Sequence, residues 1–401
     1  MRGRSPFAAN ITFAECQQAI AGRREFRVTE KDGLRIVNYD FCYGETFPDP
    51  DAAATEEERR LLQIRRECRG IIFDASGMLV CRRLHKFMNL GQTAETAEVA
   101  LGERHVVCEK LDGCMISSML VGGEPVLVSK NGPTELSERI VRCATGDWRG
   151  LSAHWLARGW TPTFEWVDPE APIVLRYARP ELWLIALREM ASGAYASQAA
   201  LAAAAREHGL ASAPVLWDSE REGPLDLAAL RARVRDARDT EGCVLKLEES
   251  GRWLKLKSDW YFSQSQSAMK LPASERLLWR QILTGELDDL LPALTPEVRA
   301  RVDAFCRRLF ERLARAVDER VLPAALALAL AGGGGGGWGA AVSALYPQPS
   351  VVRTLLFRAG TAAERAELLP HAAAAVAKAC GQAAAFAACR KELGLEDVNF
   401  L

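Results

Sequence analysis

Glu109-Lys110-Leu111-Asp112-Gly113 contains a Lys-x-Asp-Gly, a setting in which a lysine amine can become a nucleophile. Far downstream, Lys255-Leu256-Lys257-Ser258-Asp259-Trp260-Tyr261 puts two lysines on one face of a strand, because strand side chains alternate with period two. Between them lie Glu165 and Glu241, each beside an apolar run. A nucleophilic lysine, a later lysine pair and carboxylates for a metal are the equipment for attacking a nucleoside triphosphate. A free lysine amine has a pKa of about 10.4, so the role requires desolvation or neighbouring cations. Lys255 and Lys257 would supply both field and phosphate contacts. Taken alone, the motif also describes a lysine in an exposed turn.

The other candidates divide in the same way. Asp112 either binds adenosine hydroxyls or holds the turn, and Gly113 lets the backbone approach closely. Arg69-Gly70 opens an apolar strand and Lys86-Phe87 follows. As phosphate ligands they would clamp the β- and γ-phosphates, where a guanidinium gives bidentate contact. As structure they are solvated charges flanking a hairpin. Lys130 precedes Asn131-Gly132 and is either a phosphate or RNA contact or a hairpin lysine. Glu165, within Thr163-Phe164-Glu165-Trp166-Val167, is a buried salt-bridge partner, a ribose contact or a helper of the divalent ion. Glu241 stands at a strand start, where a carboxylate can hold magnesium that keeps some of its water. No G-x-x-x-x-G-K-[ST], H-E-x-x-H or G-x-S-x-G competes.

Positioning these groups takes more than one ordinary domain, and 401 residues supply two. Up to about residue 265, short β-like runs recur at Leu34–Tyr39, Gly70–Phe73, His105–Cys108, Met115–Leu120, Pro125–Val128, Thr163–Val167, Leu182–Leu187, Gly242–Leu247 and Trp253–Lys257. Turn formers such as Gly122-Gly123 separate many of them, which points to antiparallel sheets. Thr55–Arg66 and Ser197–His208 read as helices. From Ser274 to about Arg320 apolar residues fall at helical spacing, with further helices at Ser350–Arg358 and Thr361–Leu393. Ala324–Ala340, with its glycines at 332–337, reads as a flexible loop. The expected architecture is α+β: a catalytic domain over 1–265 and an all-helical domain over 266–401.

Composition narrows the partners. The net charge is -1, so a polyanion would need a local cationic cluster rather than a global field. Residues 263–401 hold 16 Lys and Arg against 14 Asp and Glu, which leaves the helical part near neutral. The cysteines at 16, 42, 68, 81, 108, 114, 143, 243, 306, 380 and 389 form no C-x-x-C, and a structural zinc site is not expected. Their odd number and an N-terminus without a long apolar core fit reduced thiols inside a cell. Val321–Val352 is a poor membrane span.

In this order, the motifs resemble the covalent nucleotidyltransferase superfamily of ATP-dependent ligases and capping enzymes. Within it the chain is similar to the phage RNA ligase 1 type, which seals nicked tRNA. The resemblance rests on Lys110–Gly113 together with Glu67-Cys68-Arg69-Gly70-Ile71-Ile72-Phe73, Lys86-Phe87-Met88-Asn89-Leu90 and Ser129-Lys130. It continues through Phe164-Glu165-Trp166-Val167, Ile173-Val174-Leu175, Glu241-Gly242-Cys243-Val244 and the Lys255–Tyr261 segment.

The resemblance implies an antiparallel, ATP-grasp-like ligase domain, with ATP and Mg2+ (or Mn2+) as cofactors. Lys110 would be adenylylated. Tyr39, Arg69 and Lys86 would contact the triphosphate, and Glu109, Asp112 and Gly113 would border the nucleotide. Lys130 and Glu165 would serve nucleotide binding and later steps. Glu241, with Glu165, would serve the metal, and Lys255 and Lys257 the α-phosphate. The implied partner is RNA with 5′-phosphate and 3′-hydroxyl ends, nicked tRNA included. A separate end-healing kinase or phosphatase and a monomeric, membrane-free, cytoplasmic enzyme complete the expectation.

Two positions depart from the family pattern: Cys243 stands where an aromatic residue is usual, and Asn131 where a glycine is. Rival readings are a DNA ligase or capping-type enzyme, and a non-catalytic RNA-binding protein with a relic pocket. A capping enzyme should carry further strands after Lys257. A relic should have lost the nucleophile or a carboxylate.

Overall fold

The computed structural model describes residues 5–23, 25–39, 42, 46–261, 275–284, 296–330, 338–347, 350–359 and 365–400. The chain divides into two compact units, Met1–Tyr39 with Phe47–Ser265, and Asp40–Thr46 with Gln266–Leu401.

The first unit carries three sheets. Strands β1 (Phe26–Lys31), β2 (Leu34–Tyr39), β3 (Ile71–Asp74) and β4 (Leu79–Cys81) form one in sequence order. The second contains β6 (Cys114–Val121), β7 (Glu124–Val128), β8 (Trp160–Val167), β9 (Glu181–Glu189) and β10 (Ala211–Ser212), ordered β10-β9-β8-β6-β7. The third is β11-β5-β12-β13, from β5 (His105–Glu109), β11 (Val215–Asp218), β12 (Gly242–Leu247) and β13 (Trp253–Lys257). Among these strand pairs only β9 and β10 run parallel.

Alternation along β5, β12 and β13 sorts side chains onto two faces. Val107, Cys243, Leu245, Leu247, Leu254 and Leu256 pack under the helix Leu227–Asp236, which contributes Leu230 and Val234. On the opposite face, Val106 and Cys108 pack with Leu111, Trp183 and Ile185, so this face meets the second sheet. Ile116, Phe164, Trp166 and Leu184 line the far side of that second sheet, covered by the helices Trp148–Leu156 and Gln198–Glu207. Ile36 and Ile72 join the first sheet to Met119 and Val128 of the second. The second and third sheets therefore face one another across an apolar layer.

Each strand read from the sequence is present, with ends shifted by up to three residues. Sequence reading missed β1, β4, β10 and β11. Strand β1 is charged and largely exposed, and the others have two to four residues.

In the second unit the described residues form helices only: Glu275–Thr284, Pro296–Ala316, a π-helical stretch Val317–Val321, Leu322–Leu330, Trp338–Leu345, Val351–Ala359, Arg365–Ala379 and Ala383–Leu393. Their core gathers Leu309, Leu313, Leu355, Leu368 and Val376 around Trp279, whose ring lies 5.2 Å from that of Phe386. Two expectations need correction. Ala324–Leu330 and Trp338–Ala340 are helical rather than loop, because alanine and leucine are strong helix formers. The glycines at 332–337 lie outside the described residues. The helix expected over Thr361–Leu393 is two helices, interrupted at Gly381, where glycine carries the largest helix penalty after proline.

Candidate active site

The third sheet brings the lysines together by register. Cys243 pairs with Glu109 across β12 and β5. One step further, the Lys110 N–H donates to the Gly242 carbonyl at 2.9 Å. On the other side of β12, Gly242 pairs with Lys257. Lys110, Gly242 and Lys257 thus form a row, and Glu241 precedes its middle member.

The side chains complete the arrangement. Glu241 Oε1 is 2.8 Å from Lys110 Nζ and 3.1 Å from Lys257 Nζ. The Glu241 and Lys257 side chains are each 3% exposed, while that of Lys110 is 22% exposed. The one open corner of the triad is therefore the amine of Lys110. Gly242 fits this row because it has no side chain: a Cβ there would lie 2.0 Å from the Leu256 carbonyl oxygen, at a φ of +135°. The Ser258 N–H bonds the Glu241 carbonyl at 3.0 Å, and the Ser258 hydroxyl bonds the Thr240 carbonyl at 2.7 Å. These bonds fix the backbone at Glu241.

Lys255, two residues before Lys257, shares its face of β13 and stands 5.5 Å over the Phe87 ring. Its backbone bonds Met88 and Leu90, which ties the segment carrying Lys86 to this strand. Lys86 is buried, with its amine 5.3 Å from the Tyr39 ring centre and 5.2 Å from that of Phe47. Tyr39 and Lys86 therefore form one cation–π group.

The second sheet supplies Glu165, paired with Met115 across β8 and β6. Burial pushes the Glu165 carboxyl up to about 7, opposed first by the charge of Lys110. The carboxylate of Glu241 raises it and the guanidinium of Arg69 lowers it, so these groups share one field. Arg69 reaches the sulfur of Met115 at 3.6 Å. At Gly70, with φ +85°, a Cβ would lie 2.9 Å from the Lys130 backbone, so the Lys130 turn rests on this glycine.

Not all the candidates join this group. Strand alternation directs Glu109 away from the face that carries Lys110, and partial burial raises its pKa. Asp112 is occupied by the protein itself. Its carboxylate accepts from the Val174 and Leu175 N–H groups at 2.8 and 2.7 Å and from the Tyr261 hydroxyl at 2.7 Å. Its own N–H donates to the Tyr177 hydroxyl at 2.9 Å. Of the two roles open to Asp112, these bonds favour holding the turn. Gly113 lies against β8, where a Cβ would meet the Trp166 carbonyl oxygen at 2.2 Å.

Sequence reasoning missed the groups that brace the site. Glu67 is buried, and its carboxylate accepts from Arg82 at 2.7 Å and from both Nη atoms of Arg188 at 2.7 Å. Those guanidiniums overcome burial and hold the carboxyl down at about 2. Arg188 also donates to the carbonyl of Arg83. Arg83, itself buried, bonds the Ser117 hydroxyl at 3.0 Å and the Met115 carbonyl at 2.8 Å. The only sequence signal was the run Arg82-Arg83, whose partners lie far along the chain.

Among the described residues no group of three or more His, Cys, Asp or Glu could hold a metal. Glu241 and Glu165 remain, which suits an ion held by one or two carboxylates plus phosphate oxygens and water. No described helix is long and apolar enough to cross a membrane.

The Lys110–Glu241–Lys257 row, with Lys110 its one partly open member, lies on an antiparallel sheet, an arrangement suited to nucleotidyl transfer. A family model described as RNA ligase matches residues 67–269, and the chain belongs to that family, in its phage RNA ligase 1 type. RNA ligase 1 of bacteriophage TS2126 is 28% identical over 299 residues, covering 71% of this chain and 68% of the phage protein. A Thermovibrio ammonificans protein provisionally named an RNA ligase is 29% identical over 303 residues, covering 73% and 74%. Among solved structures, an archaeal ATP-dependent RNA ligase aligns over 76% of this chain and 79% of its own, with TM-score 0.45 and 15% identity.

Proposed function

We propose that this RNA ligase joins 5′-phosphate to 3′-hydroxyl RNA ends through lysyl-AMP and RNA-adenylate intermediates, using ATP and Mg2+, with Mn2+ able to substitute. The observation that carries this reading is Lys110 Nζ at 2.8 Å from Glu241 Oε1, with Lys257 Nζ on the same oxygen.

In this reading Glu241 accepts the proton that Lys110 must lose. The freed amine attacks the α-phosphorus of ATP, a P–N bond forms, and the bond to the β-phosphate oxygen breaks to release pyrophosphate. Lys257, with Lys255 beside it, offsets charge on the α-phosphate as the amine attacks. The 5′-phosphate of the RNA then displaces Lys110, which recovers a proton. A 3′-hydroxyl, losing its proton, attacks the phosphorus of the RNA 5′-phosphate, forms the phosphodiester and releases AMP. A divalent ion held by Glu241 and Glu165 would add charge neutralisation on phosphate.

Nicked tRNA fits the substrate class, and a separate kinase or phosphatase would prepare its ends. The cysteines are all free thiols, in keeping with a reducing compartment.

The test is incubation with α-labelled ATP and magnesium, followed by denaturing electrophoresis and then by addition of 5′-phosphorylated RNA. A covalent label that RNA discharges is expected. Protein that never acquires label would overturn the reading.

A further inference from the structure

With a net charge of -1 the chain has no overall field to attract a polynucleotide, so cations must be gathered locally. The first sheet gathers four from three distant stretches of sequence. Arg27 pairs with Asn38 across β1 and β2, and the next strand places Gly70 beside them. The turn at 129–133 lies across this row. The Lys130 backbone sits on Gly70. Asn131 Oδ1 accepts from Asn38 Nδ2 at 3.1 Å and from Arg27 Nη2 at 2.9 Å. Further along β1, on the same face, Lys31 Nζ donates to the Pro133 carbonyl at 3.3 Å.

Lys130, Arg27 and Lys31 thus follow one another along the sheet, with Arg69 next to Gly70 at the end nearer Met115. Arg27 and Lys31 are about 13 Å apart along the strand at the usual rise. The nearby acids do not interrupt the line. Glu30 alternates to the other face of β1 and pairs with Arg35 at 3.3 Å, and Asp32 sits in the turn beyond Lys31.

We propose that this stripe is the track along which a single-stranded RNA approaches Lys110, its phosphates lying on Lys31, Arg27 and Lys130 in turn. The inference rests on the RNA-joining reading and adds where the strand runs. It also accounts for Asn131, whose side chain ties Arg27 to the Lys130 turn as a glycine could not.

The test measures binding of a 5′-phosphorylated single-stranded oligoribonucleotide to the full-length protein by fluorescence anisotropy, across a range of potassium chloride. Lys31→Glu, Arg27→Gln and their combination are compared with wild type, alongside labelling with ATP. The double variant is expected to bind about tenfold more weakly at low salt, with a log–log salt slope smaller by about one per lost contact. Its self-labelling should stay at the wild-type rate. Asn131→Gly, which keeps every charge but unties Arg27, should give an intermediate loss. Wild-type affinity and slope in the double variant would overturn the track. Binding is read without catalysis, so failed labelling in wild type would remove the RNA-joining reading while this measurement still decides the track.

Discussion

Lys110 and Glu241 meet because one backbone bond extends a strand pair by a single residue. The Lys110 N–H bonds the Gly242 carbonyl at 2.9 Å, and this seats the amine 2.8 Å from the carboxylate just before that glycine. The meeting of Lys110 and Glu241 is set by sheet register rather than by loop geometry.

Removing the amine leaves the pair Glu241–Lys257 intact at 3.1 Å. Lys110→Ala should therefore fold and melt like wild type yet take up no label from α-labelled ATP. Label persisting on the variant would show that another residue is the nucleophile.

Glu241→Ala should do more damage. It leaves Lys257, 3% exposed, without its carboxylate. Loss of one partner of a buried pair costs about 3–5 kcal/mol. We expect a lower melting temperature together with labelling reduced far below that of Lys255→Arg, which keeps its charge. If Glu241→Ala labels as Lys255→Arg does across magnesium concentrations, the carboxylate has no part in the chemistry.

Gly113→Ala would push a methyl group to 2.2 Å from the Trp166 carbonyl oxygen. Overpacking against backbone costs about 1–3 kcal/mol. The strand carrying Glu165 or the Lys110 turn must then move, so labelling should fall along with stability. Urea melts and labelling rates on the same preparation check both, and an unchanged pair of values would show that the turn can yield freely.

Two buried carboxyls should give pH dependences of opposite sign. Glu165 has a folded pKa of about 7 against an ordinary 4.5. Between those values the folded protein holds a proton that the unfolded chain has released, so its contribution to stability falls as pH rises. Glu165→Gln should remove that slope between pH 4.5 and 7 in urea melts, and a slope equal to wild type would refute the assignment.

Glu67 behaves in reverse, with a folded pKa of about 2. Its stabilisation is present above pH 4.5 and is lost as pH falls towards 2. Glu67→Gln should cost about 3–5 kcal/mol at pH 7, and the difference from wild type should shrink steadily in acid. A constant difference from pH 7 to 2 would mean that the Arg82 and Arg188 pairs contribute nothing through charge.

How much of this was readable in advance depended on range. The Lys-x-Asp-Gly, the lysine pair and the lone carboxylates stood out because charge inside apolar strands is rare. Their alternation then foretold that Lys255 and Lys257 share a face. Asp112 was ambiguous, because its partners Val174, Leu175 and Tyr261 lie 62 to 149 residues away. Glu67 looked like part of a motif, and nothing local revealed two arginines waiting at 82 and 188. The cationic stripe was invisible for the same reason: its members come from separate strands and a turn. In the helical unit, Ala324–Leu330 is helical because the propensity of alanine and leucine outweighs the low complexity of the segment.

The Asp112–Tyr261 bond has a consequence for how the molecule is made. Its partners are 149 residues apart, and the loop it closes contains most of the second and third sheets. Such distant pairing is slow, because loop-closure entropy is lost before the contact repays it. During synthesis the ribosome delivers Lys110 long before Tyr261, at about 5–20 residues per second. For that interval of some seconds the nascent chain holds Lys110 without Glu241, Lys257 or the bond that fixes its turn. In the proposed reading, the half-reaction that consumes ATP cannot begin until β13 has emerged.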